Sequence, residues 1–184
     1  MNGINKRGTA RSGTMAALDI GSRKVCCFIA HIDAAGSSRV VGIGHQISEG
    51  LRGGAVVDLE ATVAAITAAV AAAERMAEVN VKRVLVSFSC GDPASHTVGV
   101  EVPVSGHEIS DADLRRVLAQ GRPRAENGER EVAHAVPVGF RVDGASGVRD
   151  PRGMFGSRLG VDIHVVTAGV GAMRNLRICL ERAH

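Results

Sequence analysis

A short polar turn between two apolar runs constrains the fold of this chain more than any other stretch. The apolar run 16–18 is followed by the letters DIGSRK, and a second apolar run, 25–30, follows at once. Such a pattern predicts a β-hairpin with a tight, glycine-containing turn. Glycine has no Cβ, so the backbone of this turn can come close to a ligand.

The residues of this turn have the chemistry of a phosphate-binding site. The N–H groups of Gly21, Ser22 and Arg23, the Ser22 hydroxyl and the Lys24 ammonium group can all donate to phosphate oxygens. The Asp19 carboxylate is predicted to orient Mg²⁺ through water, because Mg²⁺ prefers oxygen ligands and keeps several water molecules. The alternative is an ordinary hairpin turn, since Asp, Gly and Ser are common turn residues.

The stretches around this turn predict a mixed sheet. Residues 38–47 form a third strand, in which Gly42 and Gly44 indicate that another backbone passes close by. A helix capped by Asp58 and a strand over 81–89 follow. Short turns make the first three strands antiparallel, whereas the helix is long enough to cross over to a parallel fourth strand.

The helix after Asp58 is predicted to pack on the sheet rather than lie on a membrane. Its polar face has no row of basic residues. The largely apolar run 61–73 is shorter than the roughly 20 residues that span a bilayer. The apolar stripe consists of Leu59, Val63, Ile66, Val70, Ala73 and Ala77, and the polar face of Thr62, Thr67, Glu74 and Arg75.

The second half of the chain predicts a separate strand-helix-strand-strand unit. Its helix begins with the capping pattern S-x-x-D at Ser110. In its middle strand, Pro137 indicates an edge or a bulge. The predicted elements are a strand over 94–104, a helix from 110, strands over 131–142 and 159–168, a long glycine-rich loop over 144–156, and a last helix over 171–182.

Composition excludes several classes of function. The chain has 184 residues, a net charge of +3 with scattered Lys and Arg, four Phe and neither Trp nor Tyr, so neither a basic patch nor base stacking indicates nucleic acid. No secretory signal is visible. Neither the cysteines nor the histidines have metal-ligand spacing, and a reducing compartment is expected. These residues are Cys26, Cys27, Cys90, Cys179, His31, His45, His96, His107, His134, His164 and His184.

Four collinear motifs resemble the FtsA family of bacterial actin-like cell division proteins. LDIGSRKVC is similar to the first phosphate loop of the actin, Hsp70 and sugar-kinase superfamily. VVGIGHQISEGLRGGAVVDLEATVAAI and REVAHAVPVGFRVDG resemble further segments of the family. The most distinctive is GVRDPRGMFGSRLGVDIHVVTA, at residues 147–168.

The resemblance implies an actin/Hsp70-like (ribonuclease-H-like) α/β fold with an inserted SHS2 subdomain, called 1C. The implied divisions are a disordered basic leader over 1–14, the first part of subdomain 1A over 15–89, 1C over 90–167, and a return to 1A over 168–184. Chains of the family continue beyond this point, so the sequence is interpreted as an N-terminal fragment. The second phosphate loop, the adenosine loop, domain 2 and the membrane-targeting helix of the family are not found in it.

The resemblance also implies a function as a cell division scaffold that binds ATP and Mg²⁺. In the family, domain 2 docks FtsZ, the terminal helix holds the membrane, and 1C contacts late division proteins such as FtsN and neighbouring subunits. The expected location is cytoplasmic, at the inner membrane of the division site for the full-length protein. No catalytic base is evident, so we expect at most slow hydrolysis, with ATP acting as a conformational ligand.

Two other classes of function stay open at this stage. One is a nucleotide-independent interaction module formed by the 1C-like unit alone, in which Arg115, Arg116, Arg122 and Arg124 are a partner patch or merely a solvated face. The other is a superfamily relative, such as a pilus-assembly ATPase of the PilM type, an Hsp70-like protein or a sugar kinase. The GVRDPRGM loop argues against that third class.

Overall fold

The computed structural model describes residues 13–122 and 128–183, which form two compact units. Unit 1 consists of residues 13–91 and 172–183, and unit 2 of residues 92–171. The elements of unit 1 are β1 (Gly13–Ile20), β2 (Lys24–Ile32), β3 (Ser38–Ile47), β4 (Leu51–Arg52), β5 (Ala55–Val56), α1 (Leu59–Ala77) and β6 (Val84–Ser87). The elements of unit 2 are β7 (Ala94–Pro103), α2 (Asp111–Gln120), β8 (Arg130–Val142), β9 (Ala145–Val148) and β10 (Arg158–Gly169). The last helix, α3 (Val170–Arg182), lies mostly in unit 1.

Unit 1 contains the predicted mixed sheet, with the strand order β3-β2-β1-β6. The two hairpins β1–β2 and β2–β3 are antiparallel, and β1 and β6 are parallel. The predicted crossover through α1 is therefore confirmed. Strand β1 begins at Gly13, so Gly13 and Thr14 pair with β2 and are not part of a leader. Strand β6 covers only four of the nine residues predicted for it.

The helix α1 packs on the sheet through small residues. A Cβ at Gly42 would overlap the carbonyl oxygen of Ala73, and one at Gly44 would overlap that of Ala69. The predicted close approach of a backbone to these two glycines is thus confirmed, and that backbone belongs to α1. Because glycine and alanine face each other, the helix can lie nearer to the sheet than large side chains would allow.

The buried face of α1 is rotated slightly from the predicted stripe. It consists of Thr62, Ala65, Ile66, Ala69 and Ala73. The assignment of Thr62 to the polar face was wrong, because this side chain is fully buried and its hydroxyl donates to the Asp58 carbonyl at 2.7 Å. The side of α1 that packs closest to the sheet is the one with the smallest residues. A periodic pattern of apolar residues does not identify this side. Asp58 caps the helix, as predicted, by accepting from the Ala61 N–H at 3.0 Å.

Unit 2 has the predicted strand-helix-strand-strand order with one additional short strand. Its sheet has the order β7-β10-β8-β9, and neighbouring strands are antiparallel. The loop predicted over 144–156 was partly wrong, because β9 lies inside it. The predicted irregularity at Pro137 is confirmed: Gly139 and Pro137 face Asp162 and Ile163, so one additional residue bulges between them.

Each unit has its own hydrophobic core. In unit 1 the core lies between the sheet and the helices α1 and α3, and it includes Leu18, Ile29, Ile66 and Cys179. In unit 2 the core lies between the sheet and α2 and includes Val117, Leu159 and Val161. Within residues 13–122 and 128–183, none of the helices has the length and apolarity that a membrane span requires.

Candidate phosphate turn and partner surface

The β1–β2 turn has the geometry of a tight hairpin. The Gly21 N–H donates to the Lys24 carbonyl at 3.0 Å, so Ser22 and Arg23 are the two residues that reverse the chain. The Gly21 N–H is therefore engaged within the turn. Among the described residues, no backbone carbonyl accepts from the N–H of Ser22 or Arg23 outside the strands, and these two groups keep the predicted donor capacity. We call residues 19–24 the phosphate turn.

The phosphate turn lies at the carboxyl end of two parallel strands. Asp19 near the end of β1 is in register with Ser87 at the end of β6 on one side and with Cys26 of β2 on the other. In open α/β sheets, ligands bind outside the carboxyl ends of parallel strands. Asp19, Arg23 and Lys24 are all exposed at this edge and have no ion-pair partner in the described part of the chain.

A second hairpin holds the Ser22 side chain. The Gly54 N–H, in the turn between β4 and β5, donates to Ser22 Oγ at 2.9 Å. Gly54 has a φ of +78°, and a Cβ there would lie 3.1 Å from the Ser89 carbonyl oxygen. The Ser22 hydroxyl thus accepts a hydrogen bond from the fixed Gly54 N–H, and its own proton stays available for donation. In the sequence, the paired glycines of GLRGG at residues 50–54 are the available signal for this turn.

A buried hydroxyl lies directly behind the phosphate turn. The Ser48 N–H donates to the Arg23 carbonyl at 3.1 Å and so ties the turn to the end of β3. Ser48 is 8% exposed, and its Oγ has no hydrogen-bond partner among the described residues. The turn is therefore held by two segments from elsewhere in unit 1, one at Ser22 and one at Arg23.

The phosphate turn provides one carboxylate for a metal ion. In the described ranges, no group of three or more His, Cys, Asp and Glu side chains converges on a possible metal position. Asp19 alone fits the predicted indirect role, in which the remaining ligands of Mg²⁺ are phosphate oxygens and water. The donors of the turn and this carboxylate fit a bound nucleoside phosphate with Mg²⁺.

A cavity of about 480 Å³ lies elsewhere in unit 1, between α1, β6 and α3. Its lining is mainly apolar and includes Leu18, Ile66 and Leu180, together with Cys27. Burial, reinforced by the nearby Glu74 carboxylate, raises the pKa of the Cys27 thiol, which is therefore an unreactive neutral group. This cavity does not include the phosphate turn.

The structure describes three of the four arginines predicted as a partner patch. Arg116 donates to Asp113 Oδ1 at 3.0 Å and to the Pro103 carbonyl, so it joins α2 to the end of β7. Ser110 completes the capping box with Asp113, and its hydrogen bonds hold the pKa of that carboxyl below its ordinary value. Arg115 on α2 and Arg122, two residues beyond the end of α2, are exposed. Arg124 lies outside the described residues.

A loop of unit 2 brings two more arginines to α2. Arg152 Nε donates to Asp111 Oδ1 at 2.6 Å, and its Nη1 donates to Asp150 Oδ2 at 3.0 Å. Arg149, at the end of β9, is exposed next to this cluster. In the sequence, Arg149 stands out only as part of the GVRDPRGM motif, which predicts no role for it. Its proximity to α2 depends on the path of the loop, which local patterns do not reveal.

Comparison with known proteins agrees with this architecture. Residues 91–167 match the family model described as the SHS2 domain inserted in FtsA. In overall fold, the chain is similar to a chain of the PilM–PilN type IV pilus biogenesis complex, with a TM-score of 0.53 at 13% identity. That match covers 92% of this chain and 44% of the other, and at this identity it shows the fold alone.

The similar sequences are bacterial cell division proteins. The chain is 39% identical to the cell division protein FtsA of Rhizobium meliloti and to that of Agrobacterium fabrum, and 35% identical to that of Pseudomonas aeruginosa. Each match covers 95% of this chain and 42% of the relative. The chain therefore spans about two fifths of the length of these relatives.

The two units define a class of protein, namely an α/β protein with an actin-like mixed sheet and an inserted SHS2 domain. Within this class, the combination of the SHS2 match with the similar sequences is specific. The chain is therefore similar to FtsA proteins over nearly its whole length, and it spans less than half of theirs.

Proposed function

We propose that this chain is the nucleotide-binding and partner-binding part of an actin-like scaffold for bacterial cell division. The observation that carries the nucleotide role is the phosphate turn, whose free donors lie at the carboxyl ends of the parallel strands β1 and β6. Such an edge is where a phosphate ligand is expected in a sheet of this kind. The similarity to bacterial cell division proteins supports the role in division.

In this proposal, each residue of the phosphate turn contributes to the binding of ATP and Mg²⁺. Ser22 and Arg23 donate their N–H groups to the phosphates, and the Ser22 hydroxyl and Lys24 ammonium group add direct contacts. Asp19 orients the hydrated Mg²⁺, and Gly21 closes the turn. The negative charge of bound ATP draws the donor groups of the turn together. ATP therefore acts as a ligand that changes the conformation of the protein, not as a source of energy.

The proposed scaffold role extends beyond the two units. We infer from the family that regions of a longer protein connect the FtsZ ring to the membrane, at the cytoplasmic face of the inner membrane of the division site. Unit 2 recruits later division proteins such as FtsN and takes part in self-association. Neither the phosphate turn nor unit 2 offers a residue that we propose as a catalytic base, so hydrolysis is at most slow.

A second candidate function is a nucleotide-independent interaction module. The observation that favours it is the groove of unit 2 lined by Arg115, Leu118, Phe140 and Arg149, which belongs wholly to that unit. A pilus-assembly function of the PilM type has only the fold in its favour, because the structural match is 13% identical.

Titration with a fluorescent ATP analogue and Mg²⁺ tests the nucleotide role. The wild-type chain is expected to bind with micromolar affinity, and Asp19→Asn to weaken binding at least about tenfold, because it removes the charge that orients Mg²⁺. Lys24→Ala is expected to weaken binding similarly, by loss of a charge-assisted contact.

Two matched variants control this measurement. Asp33→Asn changes an exposed aspartate at the other end of β2 and keeps the oxygen that accepts from the Ala35 and Ser37 N–H groups. Lys82→Ala removes a lysine outside the phosphate turn. Both are expected to bind like the wild-type chain. Equal binding by Asp19→Asn and the wild type, or no binding by a folded wild-type chain, would overturn the nucleotide role and leave the interaction module.

A further inference from the structure

Unit 2 has a groove between α2 and strand β8 with an apolar floor. At one end, Leu118 and Phe140 line a cavity of about 250 Å³ whose rim includes Arg115 and Arg149. At the other end, Leu118 also lines a second cavity of about 470 Å³ with Ala135 and Arg122. The two cavities share Leu118, and we call them together the α2–β8 groove.

The charge at the rim of this groove is unbalanced. The carboxylates of Asp111 and Asp150 are both bound by Arg152. In contrast, Arg115, Arg122 and Arg149 have neither an acidic partner nor a side-chain hydrogen bond among the residues that the structure describes. The four arginines and two aspartates that line the groove leave it a net charge of +2, and three of its guanidinium groups have no ion-pair partner among the described residues.

The walls of the groove are held in place before any ligand binds. Pro151 is fully buried, the Ile109 N–H donates to the Met154 carbonyl at 2.8 Å, and the Gly153 N–H donates to the Ile109 carbonyl at 3.1 Å. These contacts fix the loop that carries Arg149. The capping box at Ser110 fixes the start of α2 in the same way. A rigid site loses less conformational entropy on binding, which favours affinity.

We propose that the α2–β8 groove binds an acidic segment of a partner protein, with an apolar side chain on its floor and carboxylates on Arg115, Arg122 and Arg149. This inference rests on the proposed role of unit 2 in binding other division proteins and does not depend on nucleotide. Arginine suits carboxylate recognition because its planar group can form two parallel hydrogen bonds. Strand addition to β8 is disfavoured as the mode, since Pro137 has no N–H to pair with an incoming strand.

The lining of the groove defines the segment further. Leu118 lines both cavities, with Arg115 and Arg149 at the first and Arg122 at the second. The expected ligand therefore has acidic residues on either side of a leucine or phenylalanine.

Selection of peptides from a phage-displayed library of random ten-residue sequences tests the proposal. Selection on the wild-type chain is expected to enrich acidic sequences with a central apolar residue. The double variant Arg115→Glu, Arg149→Glu is expected to bind the enriched peptides at least about tenfold more weakly in fluorescence anisotropy. Replacing the acids of a peptide with their amides is expected to weaken binding equally.

Matched controls separate this groove from general charge effects. Arg39→Glu combined with Arg174→Glu makes the same change in net charge at exposed positions of unit 1 and is expected to bind the peptides normally. Both double variants should still bind the ATP analogue as the wild type does, so failure of the groove is distinguishable from failure of the nucleotide role.

Several outcomes would overturn the proposal. Enrichment of non-acidic peptides, no enrichment above the Arg115→Glu, Arg149→Glu variant, or equal weakening in the control variant would each do so. Stronger groove-dependent binding to vesicles of anionic lipid or to single-stranded RNA would assign another ligand. Self-association that is lost in the variant, measured by sedimentation velocity, would assign the groove to a second copy of this chain.

Discussion

At the scale of single residues, glycines decide how closely the elements of unit 1 can pack. Gly42 and Gly44 on β3 face Ala69 and Ala73 on α1, and the backbone of the helix occupies the space that a Cβ would need. The sequence contains the signal, because two glycines inside a strand are costly unless something requires them. It does not reveal which backbone makes the approach.

Substitution of Gly44 by alanine tests this packing. The new Cβ would overlap the Ala69 carbonyl oxygen, so α1 must move away from the sheet. We expect Gly44→Ala to lower the free energy of unfolding by about 2–3 kcal/mol, the usual cost of overpacking. Denaturant titration followed by circular dichroism measures the change.

Gly13→Ala is the matched control, since Gly13 also lies in a strand of unit 1 and a Cβ there meets nothing within 4 Å. We expect it to be close to neutral. Equal stability of Gly44→Ala and Gly13→Ala would show that α1 does not pack closely against Gly44.

At the scale of elements, the β4–β5 hairpin holds the phosphate turn in place. Its Gly54 N–H binds Ser22 Oγ across 32 positions of sequence. The hairpin β1–β2 was predictable, because alternating apolar runs around a polar turn are a local pattern. The second hairpin was not, because β4 and β5 have two residues each and no periodicity at that length.

Gly54→Ala is expected to weaken binding of the ATP analogue several-fold and to lower stability by about 1–2 kcal/mol. Alanine at a φ of +78° is strained, and its Cβ would press on the Ser89 carbonyl, which displaces the donor to Ser22. The same fluorescence titration and a thermal melt provide both readings.

Gly53→Ala separates the two effects. Gly53 has a φ of +54°, so alanine there is strained as well, but its Cβ would meet nothing within 4 Å. It should lower stability alone and leave nucleotide affinity unchanged. If Gly53→Ala reduces affinity as much as Gly54→Ala does, the contact to Ser22 has no special role.

At the scale of the whole molecule, one unit is inserted into the other. Unit 2 is a continuous stretch whose core residues all belong to it, whereas unit 1 is completed by the return of the chain after residue 171. Cys90 Sγ lies 3.9 Å from the Ala172 carbonyl oxygen, so the two ends of unit 1 meet where unit 2 departs.

We therefore expect residues 92–171 to fold by themselves and to unfold cooperatively. Joining residue 91 to residue 172 by a short glycine-serine linker is expected to leave unit 1 folded, because the ends are adjacent. Heat denaturation and the dispersion of amide NMR signals measure both. A molten fragment of residues 92–171, with poorly dispersed signals, would contradict the independence of its core.

The sequence alone determined the order of the longer strands and helices, the parallel crossover, the capped helix, an irregularity at Pro137 and the position of the β1–β2 turn. These features depend on periodicity, turn chemistry and capping, which act over a few residues. Only the tertiary structure decided that Thr62 is buried, that Gly54 holds Ser22, and that Arg149 joins Arg115 around an apolar floor while Arg116 does not. Each of these depends on how distant segments pack, and the path of a loop or the rotation of a helix by a fraction of a turn changes the outcome.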